Sequence, residues 1–345
     1  MDAFLINDKN SHHIFRWDVK FNRCCMHQNR SIFMTNEDLA KLQVVASIDT
    51  LSIRTPDNDL LLPDAAEDTG HSKDGITSIK INPNKFAGYE VYSFSDYRQQ
   101  MRQILDGSGI NQFWYSRVDF RFDSYQPEGR YQAMEKINRA LILCYYCQHP
   151  DTRENLYETR HAWNRKRLSV CYRANTVQLE FYNKEEQEKA GMVLSRLELR
   201  NTRLGELKDT FPLDRPYHLA QVWKAQLNGC VAAYEDMQHG QNVELYRQYI
   251  DGMEKGIYNN SSDFMQKNIE YIFSGKQMEE LFAMMGATNP KNARYNFVTR
   301  HKNLDVKFIK TKDMERYVKY LCSCLDNFLL DSVNCDEKCE SLHIA

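Results

Sequence analysis

The stretch Ser116-Arg117-Val118-Asp119-Phe120-Arg121-Phe122-Asp123 alternates strictly between apolar and polar residues. Alternate side chains of a strand point to opposite faces, so Val118, Phe120 and Phe122 share one face and Arg117, Asp119, Arg121 and Asp123 the other. The charged row is about 20 Å long at ~3.4 Å per residue. Two carboxylates and two guanidiniums in a row either pair with each other, as a solvated ionic face does, or act on something. Two later stretches repeat the pattern. Val177 to Tyr182 sets Gln178, Glu180 and Tyr182 opposite Val177, Leu179 and Phe181, and Arg196-Leu-Glu-Leu-Arg200 sets its charges opposite Leu197 and Leu199. Paired in register, the three strands present one polar face. The bland account is a ladder of cross-strand ion pairs worth ~0.2–1 kcal/mol each. A further stretch is basic: Arg153, Arg160, Arg165, Lys166, Arg167 and Arg173 are interleaved with Tyr157, Trp163 and Tyr172. Cations among aromatic rings suit a phosphate backbone and exposed bases, with a solvated β-ribbon as the alternative.

The elements that must position these groups follow from periodicity. Residues 46–53 read as a strand with Ile48, Thr50 and Ser52 on one face and Asp49, Leu51 and Ile53 on the other, which leaves the Asp49 carboxylate among apolar neighbours. Residues 55–75, rich in Asp, Pro and Gly, read as a loop, 76–81 as a strand, and Asn82-Pro-Asn84 as a turn. Residues 95–105 and 128–147 carry helical apolar stripes, and 36–42 reads as a short helix. Cys144 and Cys147 fall inside the second stripe and read as two small buried hydrophobes rather than a metal pair. Leu168 to Tyr182 reads as a hairpin, and a helix is expected from about Asn183 through Glu188.

The chain has 345 residues with 42% hydrophobic and 27% charged residues, which suits a globular protein of two domains. With a formal net charge of -2, any nucleic-acid contact must come from local concentrations of basic residues. Twenty Tyr and 17 Phe argue against a disordered chain. No apolar run approaches a membrane span, and Met1 to Asn10 carries charges where a signal peptide needs an apolar core. A cytoplasmic protein with reduced thiols is expected, with no membrane partner.

Together the strands Arg117-Val-Asp119, Tyr182-Asn-Lys184 and Arg196-Leu-Glu198-Leu-Arg200 resemble the Arg-x-Asp, Tyr-x-Lys and Arg-x-Glu-x-Arg strands of rolling-circle replication initiators, both the plasmid initiation-factor group and the filamentous-phage replication proteins. Ser78 to Lys85 is similar to a strand and turn of the phage group, and the resemblance covers residues 44 to 205. It implies a five-stranded antiparallel nuclease sheet with helices on one side. It also implies nicking of one strand at an origin hairpin through a tyrosine that becomes 5′-phosphotyrosyl-linked, with a second transfer that rejoins the strand. A divalent cation, Mg²⁺ or Mn²⁺, would neutralise a non-bridging phosphate oxygen. Hard cations take carboxylate oxygens, so Asp119 and Glu198 are the first choices for ligands, followed by Asp49 and Asp123. Arg117, Arg196 and Arg200 would hold phosphates. Tyr182, beside Lys184, is the leading nucleophile; it could instead be a sheet tyrosine that orients Lys184 or a phosphate. Tyr217, Tyr246 and Tyr249 are alternatives. The chain departs from the family's pattern in two ways: it has no His-hydrophobic-His triplet, and Leu197 stands where some plasmid initiators carry a tyrosine.

Beyond a boundary at 211–216 the pattern is helical, over 217–235, 243–253 and 262–274. Residues 277–285, Gly286 and 291–301 read as a helix-turn-helix, with 306–310 as a wing. Lys291, Arg294, Arg300, His301 and Lys302 would face DNA, while Tyr295 or Phe297 and Val298 pack inward; a basic helix on a plain bundle is the alternative. Cys322, Cys324, Cys335, Cys339 and His343 favour no zinc site, because Cys322 and Cys324 point in different directions on one helix.

The expected architecture is α+β: an extension over 1–43, an antiparallel nuclease-type sheet over 44–210, and a helical, winged helix-turn-helix unit over 215–345. The expected function is a replication initiator that binds, nicks and rejoins origin DNA. The alternative is an origin-binding initiator that kept the fold and lost nicking. An RNA-binding sheet fits less well, because the polar faces carry acids rather than paired aromatics. A host helicase and a second copy of the chain complete the partners to be tested.

Overall fold

The computed structural model describes residues 43–88, 90–126, 131–149, 155–160, 168–173, 176–184, 193–205, 212–302, 304 and 306–330. The helices expected at 36–42 and 183–188, the basic residues Arg153, Arg165, Lys166 and Arg167, and the tail residues Cys335, Cys339 and His343 lie outside them. The strands are β1 (Val44–Thr55), β2 (Ala66–His71), β3 (Thr77–Ile81), β4 (Trp114–Gln126), β5 (Asn155–Arg160), β6 (Leu168–Arg173), β7 (Val177–Asn183) and β8 (Val193–Thr202). They form one eight-stranded sheet in the order β2-β3-β1-β4-β8-β7-β6-β5. Every neighbouring pair is antiparallel. The helices are α1 (Phe94–Ser108), α2 (Tyr131–Gln148), α3 (Arg215–Ala232), α4 (Tyr234–Glu254), α5 (Ser261–Lys267), α6 (Gly275–Met284), α7 (Pro290–Arg300) and α8 (Thr311–Leu329). The chain is thus α+β, with eight described strands rather than five. No described helix is long and apolar enough to cross a membrane.

The alternation of β4 is realised as written. Val118, Phe120 and Phe122 are buried in a core they share with Leu179 and Phe181 of β7 and Leu197 and Leu199 of β8. Burying each such side chain contributes roughly 1.5–3 kcal/mol relative to leaving it exposed. Helices α1, α2, α3 and α8 complete the same core through Tyr97, Met101, Ile137, Leu141, Trp223, Leu321 and Leu325. The covering helices therefore come from both halves of the chain. Helix α8 meets β1 directly: Val44 N donates to Tyr320 Oη at 3.4 Å, and Cys324 Sγ lies 3.7 Å from Val44 O. Tyr317 Oη, also on α8, donates to Asn138 Oδ1 of α2 at 3.0 Å. A second, smaller core joins Leu245, Phe264, Met278, Leu281, Phe282, Phe297 and Val306.

Strict alternation fails in β1. Ile48 opposes Phe120 and Leu51 opposes Val118, so Asp49 and Thr50 together span the position opposite Asp119. This is a β-bulge, which shifts the phase of the side chains by one. Ile48, Leu51 and Ile53 are all buried on the core face in consequence, and Asp49 turns to the polar face. The apolar setting that the sequence suggests for Asp49 is corrected by that one extra residue.

Strand β2 lies inside the expected loop. It is an edge strand of Ala-Glu-Asp-Thr-Gly-His with almost every residue exposed, so no apolar face marks it. Helix α1 starts where its cap dictates: Ser93 Oγ accepts from Asp96 N at 3.1 Å, and Asp96 accepts from Ser93 N at 3.0 Å. It stops at Gly109, whose φ of 73° suits a residue without a Cβ. Of the cysteine pair in α2, Cys144 is buried and Cys147 exposed, so only one is a core hydrophobe. The segment expected as a wing is not a strand. It runs extended, with Val306 and Ile309 buried and Ile309 N donating to Phe273 O at 2.7 Å.

Candidate functional site

Strands β4, β8 and β7 lie side by side, so their polar faces merge. Asp119 opposes Arg200, Arg121 opposes Glu198, and Asp123 opposes Arg196 across β4 and β8. Gln178 opposes Arg200, Glu180 opposes Glu198, and Tyr182 opposes Arg196 across β8 and β7. The β1 bulge adds Asp49. Nine of the residues singled out in the sequence meet here: Asp49, Arg117, Asp119, Asp123, Tyr182, Lys184, Arg196, Glu198 and Arg200.

Arg196 sits at the centre and is 3% exposed. Its Nε donates to Asp123 Oδ1 at 2.5 Å and its Nη2 to Asp123 Oδ2 at 2.8 Å, a two-point fork. Its Nη1 donates to Asp49 Oδ1 at 3.0 Å. Arg117 holds Asp119 in the same way, with Nε 2.9 Å from both carboxylate oxygens and Nη2 2.5 Å from Oδ2. Glu180 and Glu198 are like charges placed directly opposite, an unfavourable cross-strand pair. Arg200 relieves it: Nη1 lies 2.9 Å from Glu180, Nε donates to Glu198 Oε2 at 2.7 Å, and Nη2 bonds the same oxygen. Tyr182 Oη donates to the other oxygen, Glu198 Oε1, at 2.5 Å. Sequence reasoning passes over Arg121 and Glu180 as site residues, although the same alternation marks both. It also passes over Asn84, whose Nδ2 donates to Ile48 O at 2.7 Å and whose Oδ1 accepts from Arg121 Nη2 at 3.3 Å. No periodicity signals a turn residue that reaches back to a strand.

Burial and pairing pull the titrating groups in different directions. Burial pushes the Asp119 carboxyl up to about 6, against the pull of Arg117 and Arg200. Burial also opposes the charge on Asp49, but Arg196, Arg121 and Lys184 outweigh it and hold that carboxyl below its usual range. Burial and the neighbouring Glu198 carboxylate push the Tyr182 phenol well above its ordinary value. Burial disfavours charge on Arg196 and Arg200, and the carboxylates around each more than restore it.

A divalent cation needs carboxylate oxygens to spare. Among the described residues, no three His, Cys, Asp or Glu side chains gather as a metal site. Both oxygens of Asp119, of Asp123 and of Glu198 accept from guanidinium or phenol, and Asp49 gives Oδ1 to Arg196 and Oδ2 to Thr50. As arranged, this donor set does not fit Mg²⁺ or Mn²⁺; an incoming ion would have to displace arginine.

The other candidates lie elsewhere. Arg160 and Arg173 fall in β5 and β6, toward the far edge of the sheet. Tyr217 packs against Phe94, and Tyr246 and Tyr249 lie against the smaller core, so none of these alternatives shares the polar face. Lys291, Arg300 and Lys302 are exposed on α7 or just after it. Arg294 is turned aside, 3.1 Å from Glu279 of α6 and over Gly275, where a Cβ would strike its guanidinium. His301 is also turned inward, its ring stacked on Phe297 at 4.5 Å and its Nδ1 2.9 Å from Phe297 O. Of the two aromatic choices for the inner face of α7, Phe297 is the buried one and Tyr295 the exposed one.

No family model matches this chain, and no curated protein does. Among solved structures, it is similar to a rolling circle replication initiator protein from Geobacillus stearothermophilus. The identity is 12%, over 52% of this chain and 78% of that one, with a TM-score of 0.29. A likeness at that score carries no argument about fold or chemistry.

Proposed function

We propose that this chain is a replication initiator whose polar sheet face cuts and rejoins one DNA strand through Tyr182. The observation that carries the reading is the 2.5 Å hydrogen bond from Tyr182 Oη to Glu198 Oε1, with Arg196 across from the tyrosine and Arg200 on the far oxygen of the glutamate. This is a nucleophile within reach of a base, between two guanidiniums. A phenol with a raised pKa needs such a base to lose its proton as it attacks. In the proposed step Tyr182 Oη bonds to phosphorus, its proton passes to Glu198, and the bond to the 3′ oxygen breaks. That oxygen leaves as a 3′-hydroxyl on taking a proton from water, Glu198 returns its proton to the hydroxide so formed, and the 5′ phosphate stays on the tyrosine. Attack by a 3′-hydroxyl on the phosphotyrosine reverses the step and reseals a strand. Arg196 and Arg200 would stabilise the charge that grows on the phosphate oxygens. Arg117, at the more open end of the face, and Lys184 would hold the flanking backbone. The nuclease-type sheet and the Mg²⁺ or Mn²⁺ requirement belong to the resemblance, and no step above is routed through an ion.

The second reading is an origin-binding initiator without nicking. It is favoured by the saturation of the face, since every oxygen of Asp119, Asp123 and Glu198 is already held. One experiment separates the two. The full-length protein is incubated with a randomised single-stranded DNA pool in Mg²⁺, in Mn²⁺ and in EDTA, and covalent adducts are mapped by mass spectrometry. An adduct on Tyr182 is expected, abolished in Tyr182→Phe and reduced about 10²–10⁴-fold in Glu198→Gln. An adduct on another tyrosine removes Tyr182, and no adduct under any condition leaves the non-nicking reading.

A further inference from the structure

Helix α7 is polar on its outer side in a way that folding does not explain. Asn292, Tyr295, Asn296 and Thr299 fall at i, i+3, i+4 and i+7, one stripe along the helix, and all four are exposed. Tyr295 is 66% exposed. Asn, Tyr and Thr are weak helix formers, and a merely solvated face does better with Glu, Lys or Ala. The side chains of these four residues make no hydrogen bond among the described residues. The opposite side of α7 is fixed: Phe297 meets Phe282 of α6 edge-on at 6.0 Å, and Arg294 is held by Glu279. The stripe is therefore presented rigidly.

Its charge setting is one-sided. The run from Leu281 to Leu304 contains no Asp or Glu, in a chain with 47 acidic residues among 345. Lys291, Arg300 and Lys302 border the stripe and form no ion pair among the described residues. A helix about 16 Å long, at 1.5 Å per residue, fits a major groove about 12 Å wide. Paired amide donor and acceptor groups are what read an adenine edge, at N6 and N7, and a threonine methyl suits the thymine methyl beside it.

We infer that α7 reads duplex DNA sequence from the major groove. Asn292 and Asn296 bond adenine edges, Tyr295 and Thr299 contact neighbouring thymine methyls or sugars, and Lys291, Arg300 and Lys302 hold phosphates. Asn292 and Asn296 lie about 6 Å apart along the helix, which sets their adenines about two base pairs apart. The inference rests on reading the chain as a DNA-acting protein and is independent of whether Tyr182 cuts.

The test uses the full chain and a randomised double-stranded library. Selection should enrich a motif with two adenines at that spacing. Asn296→Ala should relax one of the two positions by about 5- to 150-fold with an unchanged melting temperature, and 7-deazaadenine at that position should cause a loss that does not add to it. Lys291→Ala should weaken all sequences alike and lower the slope of log affinity against log salt by about 1. Failure to enrich any motif, or a motif indifferent to Asn292→Ala and Asn296→Ala, overturns the inference. A Tyr182 adduct without a duplex motif sinks this inference alone, and a duplex motif without an adduct sinks the nicking reading alone.

Discussion

Arg196 on the sheet is buried and donates to two carboxylates, whereas Arg300 on α7 is exposed and pairs with nothing among the described residues. On the sheet, five acids (Asp49, Asp119, Asp123, Glu180 and Glu198) interlock with four arginines (Arg117, Arg121, Arg196 and Arg200) in low-dielectric surroundings, and each group fixes the position of the next. On α7, Lys291 and Arg300 stand in water with no ion pair among the described residues, and only Arg294 is held by an acid, Glu279. A buried, satisfied lattice sets geometry to fractions of an ångström, which suits bond-making. Unpaired cations on an exposed helix keep their charge available, which suits capture of a polyanion and makes the capture sensitive to salt. Regions with similar residue types thus suit different tasks because of burial.

The comparison can be broken or sharpened by substitution. The largest effect is expected on the sheet. Asp123→Ala strands the buried Arg196 and should cost about 3–5 kcal/mol in chemical denaturation; a loss under about 1 kcal/mol would mean that water reaches the lattice and that burial does not set it apart. Next comes pH. The Asp119 carboxyl, pushed up to about 6 from an unfolded value near ~3.9, binds its proton more readily in the folded state. Its contribution to stability therefore rises as pH falls from above about 6 toward about 4, by at most about 1–3 kcal/mol. The Asp49 carboxyl, held low, opposes this, and its contribution is lost as pH falls through its folded pKa. Carboxyl NMR should place the Asp119 midpoint near 6, and Asp119→Asn should remove that part of the pH slope; a midpoint near 4 would show a solvated carboxylate. A smaller effect belongs to the cap of α7. Asn289 Oδ1 accepts from Asn292 N at 3.0 Å, and Asn289→Ala should lower thermal stability by about 0.5–2 kcal/mol while weakening duplex binding through α7. The smallest is Lys291→Ala, within about 0.5 kcal/mol in stability, detected only in DNA affinity. If that change destabilised the fold, α7 would be tied into the structure as the sheet residues are.

Much of this was legible in the order of residues, where a simple period governs. The alternation in β4, β7 and β8 places Arg117, Asp119, Tyr182, Arg196 and Glu198 on one face without reference to any partner strand. The helical stripes of α1 and α2 and the Asn-Pro start of α7 are equally local. What was hidden is what depends on neighbours. The bulge at Asp49 has no signature in β1 itself, since only the register against β4 reveals the extra residue. Strand β2 exists because β3 offers it an edge, not because its own residues favour a strand. The saturation of the acids could not be read either. Alternation places carboxylates and guanidiniums on one face but does not show how they pair off, so a ligand set and an ion-pair lattice look alike until the distances are known.

The contact between α8 and β1 has a consequence for how the molecule comes into being. Of the described elements, synthesis delivers β1 first and α8 last, separated by more than 250 residues. At ~5–20 residues per second, the core face beneath α8 waits on the order of tens of seconds for its cover. Val44 and Tyr320 then join the first described strand to the last described helix. A chain interrupted before Thr311 keeps Tyr182, Glu198 and all four arginines of the lattice, but it lacks the helix that closes the sheet above β1. Closure of the sheet above β1 therefore waits for α8, so the burial of β1's core face is among the later events of synthesis rather than one of the first.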